Sequence, residues 1–107
     1  MIEGLYKVQF QAPLGMGYGV IHLQNGTANG GDSAIAYTGN YSVDEEQFSS
    51  TIQINRHSDS LPTVLGVDNA SLNIKGKIDG NTIVGDGTTA QAPGVNLSIQ
   101  LSLLKAA

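Results

Sequence analysis

The segment VNLSIQLSL, residues 95–103, decides the fold class, because its apolar and polar residues alternate at every step. A period of two places all the apolar side chains on one face of an extended strand. Residues 57–69 lack this alternation and form the longest irregular connection, in which residues 62–66 could make one short helical turn. Shorter or less regular alternation recurs along the rest of the chain, at residues 3–11, 17–24, 27–30, 34–42, 48–56, 70–78 and 81–89.

The seven or eight strands that this pattern predicts are joined by turn signals. Asn25-Gly26 and Asp79-Gly80 are residue pairs that tight hairpins favour, so consecutive strands should pair antiparallel. Closing such a sheet buries its apolar face and removes its bare edges. We therefore expect residues 1–107 to form a single all-β domain, a small antiparallel up-and-down β-barrel of lipocalin type. A β-sandwich is the alternative, because alternation is the same in both architectures.

Composition narrows the classes of function. The 107 residues include no cysteine, which excludes disulfides and thiolate metal sites, and the net charge is −4. Direct nucleic-acid binding needs clustered basic residues, whereas the five lysines and arginines here are scattered. The first residues do not resemble a secretion signal, and no apolar run approaches the length of a membrane span. We expect a cytoplasmic protein without membrane contact, whose acidic surface suits a basic partner.

The amino-acid sequence contains no recognisable catalytic or metal-binding motif. The glycine-rich residues 15–19 lead into a strand and lack the Lys-Ser/Thr of a phosphate-binding loop, so a bend in the barrel explains them better. His22 and His57 lack the neighbouring ligands of a zinc site, and we predict no metal and no cofactor. An enzyme built on His57, Arg56 and Asp59 at the barrel mouth is the weakest hypothesis, since those three side chains would have to converge.

The barrel interior is one candidate site. An eight-stranded barrel either fills its interior with side chains or leaves room for one small ligand. For a chain of this length we expect a filled core, with a small apolar ligand as the alternative. The residues predicted to face the interior, and to line any cavity there, are Tyr6, Val8, Phe10, Ile52, Ile54, Leu72, Ile74, Leu97, Ile99 and Leu101.

The segment NYSVDEEQF, residues 40–48, contains the second candidate site. Asp44, Glu45 and Glu46 lie side by side between two predicted strands, in a chain with nine acidic residues in all. Charged residues at the tip of a hairpin are commonly just solvated surface. However, adjacent carboxylates repel one another, and a basic partner would relieve that repulsion. We call these three residues the acidic turn.

Roughly residues 4–57 resemble the GrlR family, the negative regulators of type III secretion. The features that match are the Gly-x-Gly strand, the Asn-Gly hairpin, and a Gly-Gly-Asp that is followed five residues later by the aromatic Tyr37. The acidic turn and a strand that ends in Arg56-His57 also match. The resemblance extends more weakly downstream, to the Ala-Pro-Gly of residues 92–94.

The resemblance implies a homodimeric, lipocalin-like barrel without enzyme activity. In the family, an acidic run in the same turn holds a transcriptional activator and keeps it from working. The acidic turn matches that run, but Val43 stands in place of its first acid. We therefore expect a regulatory protein-binding module that sequesters a partner such as a DNA-binding transcriptional activator. The alternative is a barrel that binds a small apolar, lipid-like ligand, which the resemblance also allows.

Overall fold

The chain folds into one closed antiparallel β-barrel. The structure is a computed structural model that describes residues 1–13, 15–59 and 67–107. Each strand pairs with the next in sequence, and the last strand pairs with the first. The prediction of an up-and-down barrel is therefore confirmed, and the β-sandwich is excluded. The eight strands are β1 (Gly4–Ala12), β2 (Gly15–Gln24), β3 (Thr27–Gly31), β4 (Ile35–Asp44), β5 (Gln47–Arg56), β6 (Asn69–Asp79), β7 (Thr82–Thr88) and β8 (Leu97–Ala106).

The segment with the cleanest alternation closes the barrel. Strand β8 begins at Leu97, two residues later than the alternation suggests, and continues to Ala106. It pairs along β1, where Val8 lies opposite Leu101 and Phe10 opposite Ile99. Pairing with β1 extends the strand past the alternating segment, because the backbone groups of both strands then find partners. The helical turn considered for residues 62–66 lies outside the described residues.

The two ends of the barrel differ in how the strands are connected. At one end, which we call the turn end, tight hairpins join β2 to β3, β4 to β5 and β6 to β7. Asn25 and Gly26 have φ of 53° and 78°, as expected for the Asn-Gly hairpin. At the other end, the loop end, residues 32–34 connect β3 to β4, and longer segments precede β6 and β8. The acidic turn lies at the turn end, between β4 and β5.

The core follows the predicted inward faces of the strands. Tyr6 and Leu23 are completely buried, and Phe48 is buried near them. Alternate residues of β5 are buried or exposed along nearly its whole length, as the sequence pattern predicts. The described residues include no helix that is long and apolar enough to cross a membrane.

Candidate functional site

The barrel interior holds a cavity of about 270 Å³. The expectation of a filled core is therefore wrong. The space remains because inward side chains of moderate size do not reach the barrel axis from every strand. Of the residues predicted to line a cavity, Tyr6 does not lie on its wall. The others do, and they are Val8, Phe10, Ile52, Ile54, Leu72, Ile74, Leu97, Ile99 and Leu101.

Tyr6 closes the turn end of the barrel. Its side chain is completely buried beside the core residues, and its hydroxyl donates a hydrogen bond to the Ile2 carbonyl. Burial, with a smaller contribution from the nearby Tyr41, raises the pKa of the Tyr6 hydroxyl above its usual value. The prediction that Tyr6 faces the barrel interior is therefore correct, but its side chain does not border the open space.

The cavity wall also includes residues that the sequence analysis did not assign to it. Ile21 and Leu23 on β2, Tyr37 on β4 and Phe48 on β5 lie on it. Each of these stands at an alternating position, so the strand period contained the signal. The loop residues Asp32 and Ser33 also line the cavity, and strand alternation gives no information about a loop.

Asp32 is the charged residue at the loop end of the cavity. Its Oδ1 accepts hydrogen bonds from the backbone N–H groups of Ala34, at 2.9 Å, and Ile35, at 2.8 Å. The Tyr37 hydroxyl donates to Oδ2 of the same carboxylate. The backbone N–H of Asp32 in turn donates to the Ile35 carbonyl at 2.9 Å. These bonds fix the carboxylate on the cavity wall.

Tyr37 is held between Asp32 and the neighbouring strand. Tyr37 is 7% exposed, and burial raises the pKa of its hydroxyl far above the usual range, with Asp32 adding to the effect. The hydroxyl therefore stays protonated at neutral pH and donates its single proton to Asp32. A Cβ on Gly19 would lie 2.6 Å from the Tyr37 Oη, so the absence of a side chain on Gly19 leaves room for this hydroxyl.

His57 and Arg56, two residues of the hypothetical enzyme site, contact other groups at the loop end. The ring nitrogens of His57 lie 2.8 Å from the Ser58 Oγ and 3.0 Å from the Asp32 carbonyl oxygen. Arg56 forms an ion pair with Asp68, with 2.7 Å between Nε and Oδ1. These contacts support the loop end of the barrel, and none of them joins His57, Arg56 and Asp59 to one another.

The acidic turn lies at the turn end, away from Asp32. Asp44 is the last residue of β4, and Glu45 has a φ of 57° at the tip of the hairpin. The Glu46 carbonyl accepts a hydrogen bond of 2.8 Å from the backbone N–H of Ile78, which ties the turn to β6. The three side chains are exposed, and within residues 1–13, 15–59 and 67–107 they form no ion pair.

No protein-family model matches this sequence, and no curated protein is significantly similar to it. The described part of the chain contains no cluster of His, Cys, Asp and Glu that could hold a metal ion. The interior cavity and the acidic turn are thus the two features on which a functional hypothesis can rest.

Proposed function

We propose that this protein binds a compact, mainly apolar small molecule inside its barrel. The supporting observation is the cavity of about 270 Å³, whose wall is built from aliphatic and aromatic side chains with a few polar groups at one end. Ligand sites commonly show this composition. A cavity of about 150 Å³ can hold benzene, so this one would accept a ligand of roughly ten to twelve non-hydrogen atoms.

Filling the cavity should abolish binding of a neutral apolar probe. Ser50 is 8% exposed, lies on the cavity wall and donates its hydroxyl proton to the Asn40 carbonyl at 2.7 Å. Replacement of Ser50 by leucine directs a larger apolar side chain into the space. We expect decan-1-ol to shift the amide NMR signals of the wall residues in the wild type, and to shift none in Ser50→Leu.

The matched control is Ser49→Leu. Ser49 precedes Ser50 on β5 and points outward, so the same substitution leaves the cavity unchanged. Binding of decan-1-ol to this variant should stay within about twofold of the wild type, since substitutions on exposed positions have small effects. The proposal fails if folded wild-type protein shows no saturable binding, or if Ser50→Leu binds the alcohol as well as Ser49→Leu does.

A second candidate function is protein binding through the acidic turn. It is favoured by the exposure of three adjacent carboxylates that have no ion-pair partner among the described residues, on a turn tied to β6. A basic surface of a partner would relieve the repulsion between them. In line with the GrlR resemblance, the partner would be a DNA-binding transcriptional activator, sequestered in the cytoplasm by a homodimer of this chain.

Neutralising the acidic turn should release such a partner. We expect the combined variant Asp44→Ala, Glu45→Ala, Glu46→Ala to bind a captured basic partner at least about tenfold more weakly at physiological salt, as its loss of charge complementarity implies. The control is Asp59→Ala with Asp86→Ala, two acids remote from the turn end, which should keep nearly full binding. Equal recovery of the partner by the wild type and the combined variant would refute this function.

A further inference from the structure

We propose that the cavity selects ligands that carry a hydrogen-bond donor, such as an amine or an alcohol, and disfavours carboxylates. This inference rests on the proposed binding of a small molecule in the barrel, and adds to it the chemical class of the ligand. It is derived from the hydrogen-bonding capacity of the polar groups at the loop end of the cavity, above all the carboxylate of Asp32.

Asp32 offers the ligand an acceptor. An ionised carboxylate has about four acceptor positions and no proton to donate. Three positions are used by the backbone N–H groups of Ala34 and Ile35, both on Oδ1, and by the Tyr37 hydroxyl on Oδ2. The remaining acceptor position is on Oδ2, the oxygen that Tyr37 contacts. A ligand group that meets Asp32 there must bring its own proton.

Tyr37 has the same preference. A phenol has one proton, and that of Tyr37 is donated to Asp32. Burial together with the neighbouring carboxylate keeps this proton in place, so the Tyr37 oxygen can only accept further bonds. Ser50 likewise donates its hydroxyl proton to the Asn40 carbonyl. Ser33 keeps a hydroxyl that can donate or accept, directly beside the charge of Asp32.

The cationic groups at this end of the barrel, those of Arg56 and His57, contact protein groups. The Arg56 guanidinium is paired with the Asp68 carboxylate and donates to the Ser58 carbonyl at 3.1 Å. Both ring nitrogens of His57 are in contact, with the Ser58 hydroxyl and the Asp32 carbonyl. The described residues of the cavity wall include no lysine, arginine or histidine. A bound carboxylate would thus lie near the charge of Asp32 without a compensating cation.

The test uses three ten-carbon probes that differ in their head group: decylamine, decan-1-ol and decanoate. At neutral pH the amine is a cation, the alcohol is neutral and the acid is an anion. We expect decylamine to bind at least about tenfold more tightly than decanoate, with decan-1-ol between them, as expected when a polar site rejects the wrong partner. Affinities are measured by titration, and the amide NMR signals of Ala34 and Ile35 report whether the head group reaches Asp32.

Two variants separate head-group recognition from general apolar binding. Asp32→Asn keeps an oxygen that can accept from Ala34 and Ile35 but removes the charge, and should reduce the preference for the amine to within about threefold. Tyr37→Phe removes the bond to Oδ2, and should leave the preference as large or increase it. Asp86→Asn removes a carboxylate from the outer face of β7 and should keep the wild-type preference.

The possible outcomes distinguish this inference from the function on which it rests. Equal affinity for decylamine and decanoate would overturn the head-group selection while leaving ligand binding intact. An unchanged preference in folded Asp32→Asn would do the same, because the selectivity would then arise elsewhere. Failure of all three probes to bind the wild type would overturn both the selection and the proposed function.

Discussion

Replacement of Gly39 by alanine is expected to lower the free energy of unfolding by at least about 3 kcal/mol, as overpacking against backbone does at its most severe. Gly39 lies in the middle of β4, opposite Ile52 of β5. A Cβ at this position would lie 2.0 Å from the Thr51 carbonyl oxygen and 3.0 Å from the Cα of Ile52. Backbone atoms cannot rotate away as a side chain can, so the two strands must separate and lose hydrogen bonds.

Gly80→Ala is the matched control for that substitution. Gly80 has a φ of +60° in the turn between β6 and β7, and a Cβ there would meet nothing within 4 Å. Its cost is that of the left-handed conformation alone, about 1 kcal/mol. Urea denaturation of the three proteins measures the difference. Similar losses of stability in the two variants would show that contact between β4 and β5 does not demand a glycine.

Strand alternation predicts which face of each strand is buried, but it gives no position along the barrel axis. Val8 and Tyr6 are two residues apart on β1 and point to the same side. Val8 nevertheless lines the cavity, whereas Tyr6 is completely buried and does not. Which inward side chains border open space depends on how each strand is staggered against its neighbours, and that register is defined only when all the strands are paired.

The polar end of the cavity could not be predicted from the sequence for a different reason. Asp32 lies in a loop, and its position on the wall depends on side-chain contacts with backbone groups at 34 and 35 and with Tyr37. The sequence does contain the spacing between Asp32 and Tyr37, which is one of the features that resemble the GrlR family. The spacing does not show where the Asp32 side chain points, because whether a loop carboxylate faces solvent or the interior depends on how the loop closes.

The position of the acidic turn, in contrast to that of Asp32, could be predicted from the sequence. Its place at the tip of a hairpin follows from the strands on either side, and the structure agrees. Its distance from the cavity could not be predicted, since the ends of the barrel are defined only by the assembled topology. Because the acidic turn and Asp32 lie at opposite ends, substitutions at one site should leave the other site unaffected. The two candidate functions can therefore be tested independently.

Replacement of Tyr6 by alanine is expected to lower the free energy of unfolding by about 3–5 kcal/mol, the range for removal of a large buried aromatic ring. Tyr6 is 0% exposed and packs with Leu23 at the turn end, where strands on all sides limit collapse around a void. A small domain commonly has only about 5–15 kcal/mol of stability in total, so this single substitution should remove a large part of the stability of the barrel. Urea denaturation and the dispersion of amide NMR signals measure the loss.

Tyr6→Phe separates the ring from its hydroxyl. The hydroxyl donates to the carbonyl of Ile2, a residue that is 44% exposed, so water can replace the lost donor. We therefore expect this variant to lose only about 0.5–1.5 kcal/mol, the net value of one hydrogen bond. If Tyr6 closes the turn end by packing, Tyr6→Ala must cost several times more than Tyr6→Phe. Comparable losses in the two variants would instead mean that the hydrogen bond to Ile2 holds this end of the barrel together.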